Sequence, residues 1–145
     1  MNSITALKNG ILAALAVIGS VITNALGGWD NAMILLVALM LVDYITGVLL
    51  AAVWQRSSKS ETGALSSVAG FKGLVKKISI LFMVWIAVLL DKAMEIDYVR
   101  LMVILFFIGN EGLSLLENLG LMGVPYPDFM KRMLEALKDK GDGKE

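Results

Sequence analysis

Residues 32–54 read AMILLVALMLVDYITGVLLAAVW, a run that is apolar almost throughout. A helix needs about 20 such residues to cross the roughly 30 Å hydrocarbon core of a bilayer. Asp43, Tyr44 and Thr46 are the only interruptions in the run. Trp54 closes it, and an aromatic ring suits the boundary between lipid and water. The sequence therefore predicts a transmembrane helix here.

The composition of the whole chain extends this prediction. Hydrophobic residues make up 57% of the 145 residues, against roughly 45–50% in soluble globular domains. A soluble chain of this size has too much surface for its volume to hide so much apolar side chain, so lipid is the simplest surrounding phase. The formal net charge is zero, and no bulk positive field draws the chain to nucleic acid.

The chain contains no cysteine and no histidine. A disulfide framework, a thiol nucleophile and a thiolate metal site are therefore excluded. The commonest general base and the commonest metal ligand are missing as well. We expect a protein that is not an enzyme, with no catalytic residues, no metal site and no cofactor.

Three more apolar stretches accompany the run at residues 32–54. Residues 11–26 reach only about 24 Å at 1.5 Å per residue, so this segment either spans the bilayer or lies on its surface. The other two stretches cover residues 74–94 and residues 99–123. The prediction is an all-α integral membrane protein with three to four transmembrane helices, of which four are favoured.

The last segment has a different character. Pro125 and Pro127 end the fourth span, and residues 128–140 follow as a shorter amphipathic helix. Its apolar side is formed by Phe129, Met130, Met133, Leu134 and Leu137. We therefore divide the chain into a membrane-embedded domain, residues 1–124, and a cytoplasmic amphipathic helix with a disordered tail, residues 125–145.

Lysine and arginine set the expected orientation. They are concentrated at the amino end, in the loop after the second span and in the tail, while the other two breaks are poor in them. By the positive-inside rule and with four spans, this loop and both ends face the cytoplasm of a bacterium, with the chain in the cytoplasmic membrane. If residues 11–26 only lie on the membrane, three spans remain and the amino end stays outside or at the surface. The basic residues of the loop and its flank are Arg56, Lys59, Lys72, Lys76 and Lys77.

Polar side chains inside the spans are the candidates for function. A carboxylate at the bilayer centre raises the free energy of insertion by roughly 2.5–3.5 kcal/mol. We expect no lysine or arginine at the depth of Asp43 and Glu111, so both carboxyl groups should be protonated there. Assembly would then respond to the membrane potential.

Two interpretations of these groups stay open, and they can coexist. In the first, they form a satisfied hydrogen-bond network within one chain. In the second, they join copies of the chain or face water when an assembly opens. The candidates for oligomerisation or pore formation are Asp43, Thr46, Gly47, Asn110, Glu111, Ser114, Glu117 and Asn118.

Four short motifs now become informative together. They are DYITG at residues 43–47, GFKGLVKK at 70–77, NEGLSLLEN at 110–118 and GVPYP at 123–127. In this order and approximate spacing the chain resembles the toxin-secretion/phage-lysis holin family, over about residues 29–140. Each motif alone is only weakly specific for the family, whereas four motifs in register are fairly specific.

The resemblance implies a non-enzymatic phage or prophage protein that associates with itself in the bilayer and forms lesions at a programmed time. A muralytic endolysin, or in some relatives a toxin, would leave through them as cargo without specific binding. Two other functions compete with this one. They are a small homo-oligomeric channel or transporter with a fixed pathway, and an antiholin-type membrane regulator.

Overall fold

In a computed structural model that describes residues 2–144, with Asn2 described by its backbone alone, the chain forms five α-helices. The second helix continues as a short π-helix. The helices are α1 (Asn2–Ala25), α2 (Asn31–Leu49, then the π-helix Leu50–Trp54), α3 (Ser67–Met94), α4 (Val99–Leu121) and α5 (Asp128–Gly141).

Helices α1 to α4, with the π-helix added to α2, are each long and apolar enough to cross a membrane. The predicted all-helical membrane architecture is thereby confirmed. The short reach expected for the stretch at residues 11–26 is wrong. Helix α1 begins at Asn2, and its 24 residues extend about 36 Å. Its side chains are exposed from residue 3 to residue 22, so this helix presents mainly apolar surface outward.

Helices α2, α3 and α4 surround one apolar core. Met33 and Leu36 of α2, Val84 of α3 and Ile104 of α4 are fully buried in it. Lipid tails are as apolar as these side chains, so the bundle is held by close packing and polar contacts rather than by exclusion from water.

The third helix begins earlier than the apolar run suggests. Ser66 caps it, since the Ser66 hydroxyl accepts a hydrogen bond from the Ala69 backbone N–H at 3.4 Å. The helix therefore starts at Ser67 rather than near residue 74. This start places Lys76 and Lys77 inside the helix, and their positions determine the site described below.

Helix α5 folds back antiparallel along α4, and glycines allow the close approach. A Cβ atom at Gly109 of α4 would lie 2.5 Å from the carbonyl oxygen of Leu134. A Cβ at Gly141, the end of α5, would overlap backbone atoms of Met102 and Phe106. The predicted amphipathic helix is present, and it contacts α4 over most of its length. Its cytoplasmic location stays a prediction.

Arg100 connects the start of α4 to the turn between α1 and α2. Its Nε donates to the Leu26 carbonyl at 2.6 Å, and one terminal nitrogen donates to the Gly28 carbonyl at 3.1 Å. The other terminal nitrogen lies 2.6 Å from Asp30 Oδ2. Asp30 Oδ1 also caps α2, accepting from the Met33 N–H at 2.9 Å. One guanidinium thus fixes three neighbouring groups.

The Asp30–Arg100 pair predicts a specific response to acid. The hydrogen bond from Arg100 lowers the pKa of Asp30 below its ordinary 3.8. Because the folded pKa is lowered, the pair stabilises the fold above the unfolded pKa, and this contribution is lost as pH falls through the folded value. We expect the thermal unfolding temperature in detergent to fall as pH drops below about 4.

Asp30→Asn should flatten this dependence, because it removes the titrating group and keeps a side chain that can cap α2. Asp97→Asn is the matched control, since Asp97 is exposed near the same end of the bundle. Equal pH dependence in the Asp30→Asn protein and in the wild type would contradict the assignment.

Candidate functional site

The polar residues predicted in the second and fourth spans meet between α2, α3 and α4. Asp43 is 2% exposed and Glu111 is fully buried. The Lys77 ammonium of α3 lies between them. Its Nζ is 2.8 Å from Asp43 Oδ2 and makes a second, short ion pair with Glu111 Oε2. A single lysine thereby joins three helices.

The expectation that no cation reaches this depth is wrong. Because α3 begins at Ser67, Lys77 lies well inside that helix, and its side chain is only 11% exposed. Lys76 adds a longer contact, 3.6 Å from Glu111 Oε1. The protonation expected for Asp43 and Glu111 rests on there being no cation near them. That expectation loses its basis, and so does the response to membrane potential that follows from it.

The loop between α2 and α3, residues 55–66, covers the polar side of α4. The Lys59 ammonium lies 3.4 Å from both carboxylate oxygens of Asp43 and 3.3 Å from the Ser114 hydroxyl. The Ser58 hydroxyl donates to Glu117 Oε1 at 3.2 Å. The loop thus closes over the face that the sequence offered for contacts between copies.

Asn118 completes the buried group. It is 2% exposed, and its amide nitrogen lies 3.0 Å from Asp43 Oδ1 and 3.1 Å from the Thr46 hydroxyl. A Cβ at Gly47 would lie 3.7 Å from both the Asn118 amide nitrogen and the Lys59 ammonium. Gly47 therefore forms part of the wall against which these two polar groups pack.

The structure brings together all but one of the eight candidates. Asn110 is half-buried on α4 and takes no part in the contacts that join the others within residues 2–144. Of the five basic residues, Lys59, Lys76 and Lys77 reach the carboxylates, while Arg56 and Lys72 are exposed. A network within one chain is therefore the arrangement observed, with lysines in it, and Glu111 Oε1 is its one buried side-chain oxygen without a hydrogen bond among the described residues.

A small cavity lies beside this network, beneath the loop. Its volume is about 80 Å³, and Asp43, Tyr44, Lys59 and Lys77 are among the residues that line it. On its far side, the Tyr44 hydroxyl donates to the Gly70 carbonyl at 3.4 Å. A polar cavity of this volume has room for a few waters. The arrangement can hold charges, and water beside them, at membrane depth.

Comparison with known proteins shows to which family the chain belongs. Residues 20–139 match the model of the bacteriophage holin family. The chain belongs to this family. It is 32% identical over 111 residues to a protein named probable holin from Bacillus phage phi105, covering 76% of each chain. The resemblance seen in the four motifs is confirmed.

Two bacterial relatives match over more of this holin-family chain. An uncharacterized 14.9 kDa protein of Clostridium perfringens is 35% identical over 141 residues, covering 96% of this chain and 98% of its own. An uncharacterized protein of Listeria innocua is 36% identical over 140 residues, covering 96% and 91%. No solved structure matches the chain.

The sequence reasoning missed the role of Lys77 in this holin-family chain, although a signal was present. Lys77 shares one face of α3 with Ile80, Val84 and Ala87, at the three- and four-residue spacing of a helix. Those three residues are buried, so the same face carries Lys77 inward. The contacts of Ser58 with α4 had no comparable signal, because they depend on how the loop folds.

Lys77→Met should destabilise the bundle strongly. Methionine fills a similar volume but leaves two buried carboxylates without their shared cation, and breaking a buried pair in this way costs about 3–5 kcal/mol. We expect a large fall in the unfolding temperature in detergent, with Lys72→Met, an exposed lysine on the same helix, as control.

A second variant separates charge from packing. Adding Asp43→Asn and Glu111→Gln to Lys77→Met removes both uncompensated charges and should restore most of the lost stability. If Lys77→Met costs no more than Lys72→Met, the lysine does not hold the three helices.

Proposed function

We propose that the chain acts as a holin. It accumulates in the cytoplasmic membrane of a bacterium, associates with itself and forms lesions through which an endolysin crosses to the cell wall. Membership of the bacteriophage holin family, the likeness to a probable holin of a Bacillus phage and four helices long enough to span a bilayer support this function.

The observation that carries the proposal is the ion-pair network at membrane depth. Well-packed apolar side chains in place of a buried ion pair are often equally stabilising or more so. Asp43, Lys77 and Glu111 fix which helices meet, but an apolar core could supply comparable stability, so stability alone does not account for charges at this depth. They suit a protein that changes from a closed chain in lipid to an assembly that contains water.

The loop that covers α4 gives this change a starting point. While Lys59 and Ser58 bind the polar side of α4, Ser114 and Glu117 have their partners within one chain. When the loop moves away, Ser114 and Glu117 lose their partners and need others. Water or the same face of a second copy supplies hydrogen bonds to them, so opening the loop favours assembly.

A lesion for a folded enzyme has to form between copies. The cavity beside the ion-pair network has a volume of about 80 Å³, which is far too small for a folded protein to pass. Polar faces lining a gap between several copies give an opening whose width grows with the number of copies.

Controlled expression in a bacterium tests this function. Co-expression with a cytoplasmic endolysin should produce sudden growth arrest and lysis, whereas endolysin alone should not. Steady growth with the protein present in the membrane would contradict the holin function. Delayed lysis when the chain is co-expressed with another holin would indicate an antiholin instead.

Lys59→Met should bring lysis forward. It removes the strongest contact between the loop and the buried carboxylate and leaves the Lys77 pairs in place. The Lys59 side chain is 43% exposed, so its pair is worth about 1 kcal/mol or less, and the advance in lysis time should be modest. Lys72→Met, expressed at the same level, should keep the wild-type time. A delay with Lys59→Met would show that the loop does not restrain assembly.

A further inference from the structure

Helix α5 lies at an unusual depth for an amphipathic helix. It runs back along α4, a helix long enough to span the bilayer. A Cβ at Gly112 would come within 2.5 Å of the Leu134 side chain, and one at Gly141 within 2.5 Å of the Met102 carbonyl oxygen. The contact therefore extends from the middle of α4 nearly to its first turn.

This position exposes charges beside a spanning helix. Lys131 is 57% exposed and Glu135 is 48% exposed along their side chains. Charged groups at membrane depth are costly unless they face protein or water. The charged residues of α5 are Asp128, Lys131, Arg132, Glu135, Lys138, Asp139 and Lys140.

The contact with α4 also leaves part of the apolar side of α5 unused. Leu134 and Leu137 are half-buried against the bundle core, whereas Phe129 is 53% exposed and Met133 is 58% exposed. On a bilayer surface all four would enter the apolar boundary layer while the charges faced water. Helix α5 thus has a second place to lie that suits its side chains better.

The connection between the two helices permits the move. Residues 122–127 form no helix, and Gly123 in this segment has φ +81°. Pro125 and Pro127 prevent α4 from continuing into α5. The segment can change direction without unwinding either helix, so α5 can leave α4 as a unit.

We propose, resting on the holin function above, that α5 is a strap that restrains self-association. In the single chain it covers the Gly109–Gly112 face of α4. When copies assemble, it moves to the bilayer surface, and α4 of a second copy takes its place. The α4 helix of a second copy reaches this depth with three charged residues, Arg100, Glu111 and Glu117, against seven in α5. Glycines let two backbones come close where lipid offers no hydrophobic drive.

A disulfide between α4 and α5 tests the strap. The chain has no cysteine of its own, so Gly109→Cys with Lys138→Cys introduces one defined pair. A Cβ at Gly109 would lie 2.5 Å from the Lys138 Cβ, and the helices need to separate by about 1 Å for a disulfide. The purified protein is added to dye-loaded vesicles of phosphatidylethanolamine and phosphatidylglycerol.

With the strap locked by oxidation, dye release should require about tenfold more protein per lipid than after reduction. The two single-cysteine variants control for disulfides between copies. Equal release from the oxidised and reduced double variant would overturn the strap. Failure of the wild type to release dye at any dose would instead count against the holin function itself.

A second variant works in the opposite direction and leaves α4 unchanged. Gly141→Leu places a side chain where α5 meets the Met102 and Phe106 backbone, so it should push α5 off α4 and lower the dose for half-maximal release several-fold. Ala136→Leu places the same side chain at an exposed position of α5 and should leave the dose unchanged. The strap would also be overturned if the Gly141→Leu protein needed a dose for half-maximal release equal to or above that of the wild type.

Discussion

The fold depends on one ammonium group placed between two carboxylates. Lys77 binds Asp43 of α2 and Glu111 of α4 at the same time, and its own helix is thereby fixed against both. Neither carboxylate has enough exposure for water to stabilise its charge, so each needs the lysine at this depth. Packing of Leu36, Val84 and Ile104 surrounds this contact, but apolar packing in lipid is only weakly specific for one arrangement of helices. The ion pairs provide that specificity.

The same contacts leave the single chain with few polar groups that need a partner from another copy. Polar groups in lipid seek partners, and here they find them inside the chain, under a loop that adds Lys59 and Ser58 to the network. What α1, α2 and α3 offer to the lipid is mainly apolar surface. A protein built in this way can accumulate without immediate aggregation. This is the behaviour needed if lysis is to be delayed and then sudden, because assembly then waits for internal contacts to exchange for external ones.

The sequence predicts the architecture well and the site in part. Continuous apolar length identifies the spans, and the segment at residues 128–140 shows its amphipathic period directly, since both signals are local. The polar group between spans was also expected, because carboxylates at membrane depth need partners. The identity of the partner was missed. It depends on the start of α3 at Ser67 and on the rotation of that helix, which brings Lys77 inward in line with Ile80 and Val84. The docking of α5 on α4 is harder still to predict, since Gly109 and Gly112 of α4 and Gly141 of α5 make room for it from two different segments.

The energetics of such a network favour assembly at a threshold concentration over assembly that rises gradually with concentration. A buried ion pair contributes little net free energy, because the cost of removing the charges from water nearly cancels their attraction. Moving Asp43, Lys77 and Glu111 toward water therefore costs a chain little, as hydration replaces what the pairs lose. The contacts that cover the polar face are likewise small in number and partly exposed, as at Lys59. Under the proposed holin function, each chain would lie close to balance between the closed form and one ready to associate, and the number of neighbouring copies would decide the outcome. If the chain acts as the proposed holin, association rises steeply with density and each added copy widens the shared aqueous space, so a change in concentration alone would be enough to convert a membrane of closed chains into one with lesions.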